Sequence, residues 1–169
     1  MIARIATSMM ASLLFASLAL SAEPPVSLVG TWQLISRIDR NAAGTVVPDS
    51  SLGADPVGYL IYDDSGHVAV QIMKKDRQGM PCGTTAEADS NNLAHVGGYD
   101  AYFGRYEVDA PKHLVTHILE GAIGPADVGR HLTRNFNLQG DTLILSFEPG
   151  GTHNAGIVRT LTWHRVSHQ

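Results

Sequence analysis

A chain of 169 residues makes one domain with a real core and is hardly long enough for two. Its charged fraction of 17% is low and its 17 glycines are many, which suits a turn-rich β protein better than a helical one. The formal net charge of −4, with no basic stripe and no aromatic patch interleaved with Lys and Arg, argues against nucleic acid and anionic membrane surfaces as partners.

Met1–Ala22 reads as a signal peptide. Arg4 supplies the short positive region, Met9–Leu20 is apolar, and Ala19-Leu20-Ser21-Ala22 offers small residues for cleavage after Ser21 or Ala22. The apolar run is too short to span a bilayer comfortably, and an N-terminal anchor helix is the alternative. No Cys follows it, which argues against lipid attachment. The expectation is a mature domain of residues 23–169, exported to a periplasm or secreted, with no membrane insertion after cleavage. Cys82 is the sole cysteine, so no internal disulfide can form and stability must come from packing. Its setting, Met80-Pro81-Cys82-Gly83, suggests a turn with a free thiol, or else an intermolecular or reactive one.

Leu28–Arg40 opens with Gly30-Thr31-Trp32 and alternates as a strand, with Trp32, Leu34, Ser36 and Ile38 on one face and Thr31, Gln33, Ile35 and Arg37 on the other. A Gly two residues before a Trp that starts the first strand lets the chain approach closely while the indole plugs a barrel's narrow end. Asn41–Pro56 is a long polar loop. Val57–Tyr62 and His67–Met73 are strands joined by the tight turn Asp63-Asp64-Ser65-Gly66. Lys74–Gly98 is polar and glycine-containing, with a helix start at Thr84–Ala88, and would cap or border one mouth of a barrel.

Strands resume at Tyr99–Val108, His113–Gly121, Gly129–Leu138, Thr142–Phe147 and Ile157–Val166, mostly as sequential hairpins. Eight strands in meander order match the size at which a barrel's interior holds side chains or one small ligand. The last strand would lie beside the first, so that Arg165 covers Trp32 as a cation–π lid.

LVGTWQLIS, GYLIYDDSGHVAVQIM, YFGRYEVD, VTHILEG and the closing LTWHRV together resemble the bacterial lipocalin-like domain family, over about Leu28–Val166. The resemblance implies a small β-barrel with an internal cavity and brings little about substrate or chemistry. The fold expected is therefore all-β: an eight-stranded antiparallel up-and-down lipocalin-like barrel with one long capping loop.

Strand parity selects the residues that could meet a ligand. In Gly129–Leu138 the apolar face holds Leu132, Phe136 and Leu138, which sets Arg134 among hydrophobic neighbours. A buried guanidinium needs a carboxylate partner, Glu120 or Glu107, or an anionic ligand. His117 faces inward if Val115 and Leu119 do; otherwise Glu120 faces inward and His117 outward. Tyr102, Gly104 and Tyr106 share a face, as do Tyr59 and Ile61, and tyrosines suit a hydrophobic ligand with a polar end, with Gly104 leaving room opposite it. His113 and His117 lie four apart in a strand, roughly 13 Å, too far to share a metal ion. Ser-elbow, phosphate-loop, nucleotide and haem motifs are absent, so no metal or cofactor is called for.

The function expected is interior binding of a small hydrophobic or amphipathic molecule, with Arg134 and tyrosine hydroxyls orienting a polar end such as a carboxylate. The alternative is a cyclase- or isomerase-type enzyme that uses a Tyr/His/Glu set in the same cavity. A third reading is a structural barrel filled by its own side chains.

Overall fold

A computed structural model describes residues 26–49, 51–77, 91, 93, 96–152 and 154–166. The predicted signal peptide, the Cys82 turn and the helix start at Thr84–Ala88 lie outside the described residues. Nine strands are present among them: β1 (Gly30–Arg40), β2 (Val46–Val47), β3 (Val57–Tyr62), β4 (His67–Met73), β5 (Tyr99–Asp109), β6 (Leu114–Ala122), β7 (His131–Gln139), β8 (Thr142–Phe147) and β9 (Val158–Arg165). Eight of these run in sequential antiparallel order, and β1 pairs with β9 to close the barrel. The two-residue β2 lies along the end of β1, inside the stretch expected to be wholly loop.

The core is the inward parity of these strands. Leu60 and Tyr62 of β3 face Val70 and Val68 of β4, Leu132 of β7 faces His117 of β6, and Phe136 and Leu138 of β7 face Leu145 and Leu143 of β8. Alternation at period two puts these residues on the concave side while the intervening positions meet solvent.

Two irregularities alter that parity. In β1 the register with β9 slips between Leu34 and Ser36, leaving Ile35 as an extra, exposed residue. The bulge reverses the alternation, so Arg37 and Asp39 point inward instead of Ser36 and Ile38. In β6 the register with β5 slips between Phe103 and Gly104, and Glu120 is the residue left over. A Cβ on Gly104 would meet the Ile118 carbonyl oxygen, so this glycine makes room for the neighbouring strand and not for a ligand.

The barrel's two ends differ. One carries the tight turns after β3 and β7 and the short 3-10 turn Ala110–Lys112 between β5 and β6. Here the fully buried Trp32 donates its indole N–H to Leu28 O at 2.9 Å, and the Arg165 guanidinium lies 4.0 Å over the Trp32 ring. Gly30, at φ +144°, has no side chain because the Arg165 guanidinium fills that space. The other end carries the longer connections, residues 41–56, 74–98, 123–130 and 148–157, and forms the mouth.

Candidate functional site: a polar cavity beneath the mouth

Apolar walls from β3, β4, β8 and β9 (Leu60, Val70, Ile72, Leu145 and Leu161) enclose a cavity of about 50 Å³. Leu52 from the 41–56 connection and Leu93 from the 74–98 connection cover it, and both are buried. A volume of this kind has room for about four water molecules, or a ligand of on the order of half a dozen non-hydrogen atoms. Apart from Phe147, the remaining lining carries polar groups: Arg37, Ser51, Asp100, Tyr102, His117, Arg134, Arg159 and Trp163.

Three guanidinium groups reach this interior from three strands. Arg159 of β9 makes a two-pronged pair with Asp39 across the barrel seam, Nε to Oδ1 at 2.8 Å and Nη2 to Oδ2 at 2.7 Å. Arg37 pairs with Asp49, and Arg159 Nη2 is also 3.7 Å from Asp49 Oδ2. Burial, with the nearby Arg159 charge adding to it, pulls Arg37 down to about 9.

Arg134 differs from the other two. Its Nη1 donates to Asn91 Oδ1 at 2.8 Å and to the Thr133 carbonyl at 3.1 Å, and its guanidinium lies 3.5 Å over the Phe147 ring. Among the described residues no carboxylate stands at ion-pair distance from it. Glu120 and Glu107, the partners expected from the sequence, are both exposed, and Glu120 pairs with Arg105 on the outer wall at 2.9 Å. Burial lowers the Arg134 pKa to about 10, which still leaves it charged at neutral pH.

His117 is the inward member of its strand, 1% exposed, and it is held from both sides. Its Nε2 lies 2.6 Å from the Tyr62 hydroxyl and its Nδ1 lies 2.7 Å from the Tyr102 hydroxyl. Burial, reinforced by the Arg134 charge, pushes His117 down to about 3, so the ring is neutral. A neutral imidazole donates from one nitrogen and accepts at the other. The fully buried Tyr62 hydroxyl has His117 as its one hydrogen-bond partner among the described residues, so Tyr62 must donate to Nε2 or strand its proton. Nδ1–H then donates to Tyr102, and the Tyr102 proton is left to point elsewhere, into the cavity that this residue lines.

Two more polar atoms lack partners. Asp100 Oδ1 and Trp163 Nε1 are sealed from solvent without a hydrogen bond among the described residues, and both residues line the cavity. Burial pushes the Asp100 carboxyl up to about 7, against the pull of Arg37 and Arg134.

Of the residues singled out from the sequence, Arg134, Tyr102 and His117 thus come together at the cavity. Phe136 is buried beside His113, with ring centroids 5.6 Å apart, and does not line the cavity. Tyr106 is half-buried near the closed end, where it donates to Asp63 O at 2.9 Å and packs at a tilt against Tyr62, with ring centroids 4.7 Å apart. Tyr59 is 50% exposed and Glu120 is also outside, because β3 turns Leu60 and Tyr62 inward and β6 turns His117 and Leu119 inward. Of the Tyr/His/Glu set expected for an enzyme, the tyrosine and histidine members come within hydrogen-bond reach of one another, and the glutamate, Glu120, is outside.

Asp100, Trp163, Arg159 and Tyr62 were missed as cavity or network residues, although parity could have found them. Asp100 is two residues from Tyr102, Trp163 and Arg159 share a face with Leu161, and Tyr62 shares one with Leu60. Arg37 was hidden by the β1 bulge. No group of three or more metal-ligating side chains occurs among the described residues, and no helix among them is long and apolar enough to cross a membrane.

The model of a family described as a lipocalin-like domain matches residues 29–166. No curated protein matches the chain.

Proposed function

The chain belongs to the lipocalin-like domain family, whose barrel supports small-molecule binding, and from that premise we propose that the cavity binds a compact amphipathic molecule whose carboxylate faces Arg134. One observation carries this reading. Arg134 is a buried cation without a carboxylate partner among the described residues, in a cavity where Arg37 and Arg159 each have one. Leaving a guanidinium so placed costs several kcal/mol unless a ligand supplies the missing charge. The apolar walls take the ligand's other end, and the cavity volume limits its size. The leader-like residues 1–22 support the further proposal that this binding takes place outside the cytoplasm.

Native mass spectrometry of protein purified gently from its own compartment tests the reading. The wild-type protein is expected to carry an extra mass that is released on denaturation. Arg134→Leu is expected to lose that mass without losing stability, since it removes a buried charge that has no carboxylate partner among the described residues. A variant that unfolds by several kcal/mol, or that keeps the extra mass, would sink the assignment and leave Arg134 a structural residue.

A further inference from the structure

We propose that the cavity's ligand is a short oxo acid, its carboxylate seated on the Nε–Nη2 edge of Arg134 and its carbonyl oxygen accepting a hydrogen bond from the Tyr102 hydroxyl. Tyr102 is then a specificity-determining residue, and Tyr62 and His117 are positioning residues that aim its proton. The inference rests on the binding reading above and adds to it the second oxygen and the group that reads it.

The direction of one chain of protons carries the inference. The Tyr62 hydroxyl is buried, and its neighbour Tyr106 donates its own proton to Asp63 O. His117 Nε2, at 2.6 Å, is the one acceptor Tyr62 has among the described residues. Burial keeps the His117 ring neutral, so it offers one lone pair and one N–H. With the lone pair taken by Tyr62, the N–H sits on Nδ1 and points at the Tyr102 oxygen 2.7 Å away. Tyr102 accepts from that ring, and its own proton has no acceptor among the described residues. The reverse order would strand the Tyr62 proton instead. Tyr62, unlike Tyr102, does not line the cavity, so no ligand could relieve it.

The two donors serve one space. Tyr102, His117 and Arg134 line the same cavity from the neighbouring strands β5, β6 and β7. Of the charged groups, Arg134 acts most strongly on the Tyr102 hydroxyl. Arg134 gives Nη1 to Asn91 and Thr133 and lays its flat face over Phe147. Its Nε–Nη2 edge has no hydrogen-bond partner among the described residues and matches a carboxylate in a two-pronged pair. Both carboxylate oxygens are then engaged, and Tyr102 is left to read a different atom of the ligand. A methyl group there strands the tyrosine proton, and an ammonium group opposes it with its own N–H. A carbonyl oxygen accepts it, and the size of the cavity keeps the acid short.

The probes are pyruvate against isobutyrate and acetoacetate against isovalerate, titrated calorimetrically into the full chain. Within each pair a methyl group replaces the keto oxygen. At least one oxo acid is expected to bind about tenfold or more tightly than its partner, the worth of one hydrogen bond whose donor is otherwise orphaned. Tyr102→Phe should bring that pair to within about twofold, chiefly by weakening the oxo acid. Nitrogen NMR of the isotope-labelled wild-type protein should show His117 protonated at Nδ1 and bare at Nε2. That spectrum and the wild-type affinities decide the matter if Tyr102→Phe does not fold. Equal affinities within both pairs would mean that water or the carboxylate itself serves Tyr102, and would overturn this inference. So would a preference that survives Tyr102→Phe, or a His117 ring protonated at Nε2. Binding of either branched acid that Arg134→Leu abolishes would still leave the Arg134 reading standing. Failure of all four acids to bind the wild-type protein at millimolar concentration overturns both.

Discussion

Burial pushes His117 down to about 3 and Asp100 up to about 7, so the two groups titrate in opposite senses on folding. Between its unfolded value near 6.5 and its folded value, His117 binds a proton only when unfolded, and stability falls as the pH is lowered through that window. Asp100 binds a proton only when folded between its unfolded value near 3.9 and about 7, and there its contribution to stability grows as the pH is lowered. The two slopes cancel from about pH 6.5 to about pH 4. Asp100→Asn removes one of them, so the variant should lose up to about 1.4 kcal/mol per pH unit relative to wild type across that window, read from urea unfolding at fixed pH values. Equal slopes in the two proteins would show that Asp100 does not take up a proton on folding. At this scale the sequence was partly legible. Arg134 stands out because an arginine on a face of Leu and Phe violates the pattern around it. Asp100 and Trp163 do not stand out, since an aspartate second in a strand and a tryptophan among leucines look like an edge residue and a core residue.

The elements themselves were legible almost to the residue, and β3, β4 and β8 were bounded correctly from alternation and turn chemistry. What alternation does not announce is a bulge. Neither slip is marked by glycine at the extra residue, Ile35 or Glu120, so parity extrapolated through β1 put Arg37 outside and missed the Asp39–Arg159 pair. The two-residue β2 was missed because two valines in a polar loop carry no period. The β5–β6 slip makes a sharp demand on Gly104, whose missing Cβ would stand 2.0 Å from Ile118 O and 2.8 Å from Glu120 N. Those are backbone atoms, which cannot rotate away. Gly104→Ala should therefore destabilise by about 3 kcal/mol, seen as a lower urea midpoint with an unchanged m-value. Tolerance of the alanine would mean that the slip can relax along β6.

For the whole molecule, closure joins residues far apart in sequence: Trp32 pairs with Arg165, and Arg40 with Val158. Such pairing must overcome loop-closure entropy before it is rewarded, which places folding among the slower millisecond-to-second domains. The closed end secures the seam through Trp32, whose ring is roofed by the Arg165 guanidinium. Trp32→Ala should cost about 4 kcal/mol and Arg165→Ala about 1 kcal/mol. A double-mutant cycle on unfolding free energies should return a coupling of about 1 kcal/mol between them. A coupling near zero would mean that the stacked guanidinium adds nothing to the seam. This arrangement was readable in advance because both residues sit at strand ends whose order implied that they meet. The mouth was not, since its connections carry no period and little in them says which side chain turns inward.

Leu52 and Leu93 lie over the cavity, and both belong to the long connections and not to the barrel wall. Equilibrium preference for one guest over another is then written in the strands, by Arg134 and the groups around it. The connections bear on how long that guest stays, because their two leucines border the cavity. Two proteins with the same interior and different mouths would select the same molecule yet hold it for very different times. Of the two, dwell time is the property that can drift freely without disturbing the barrel beneath.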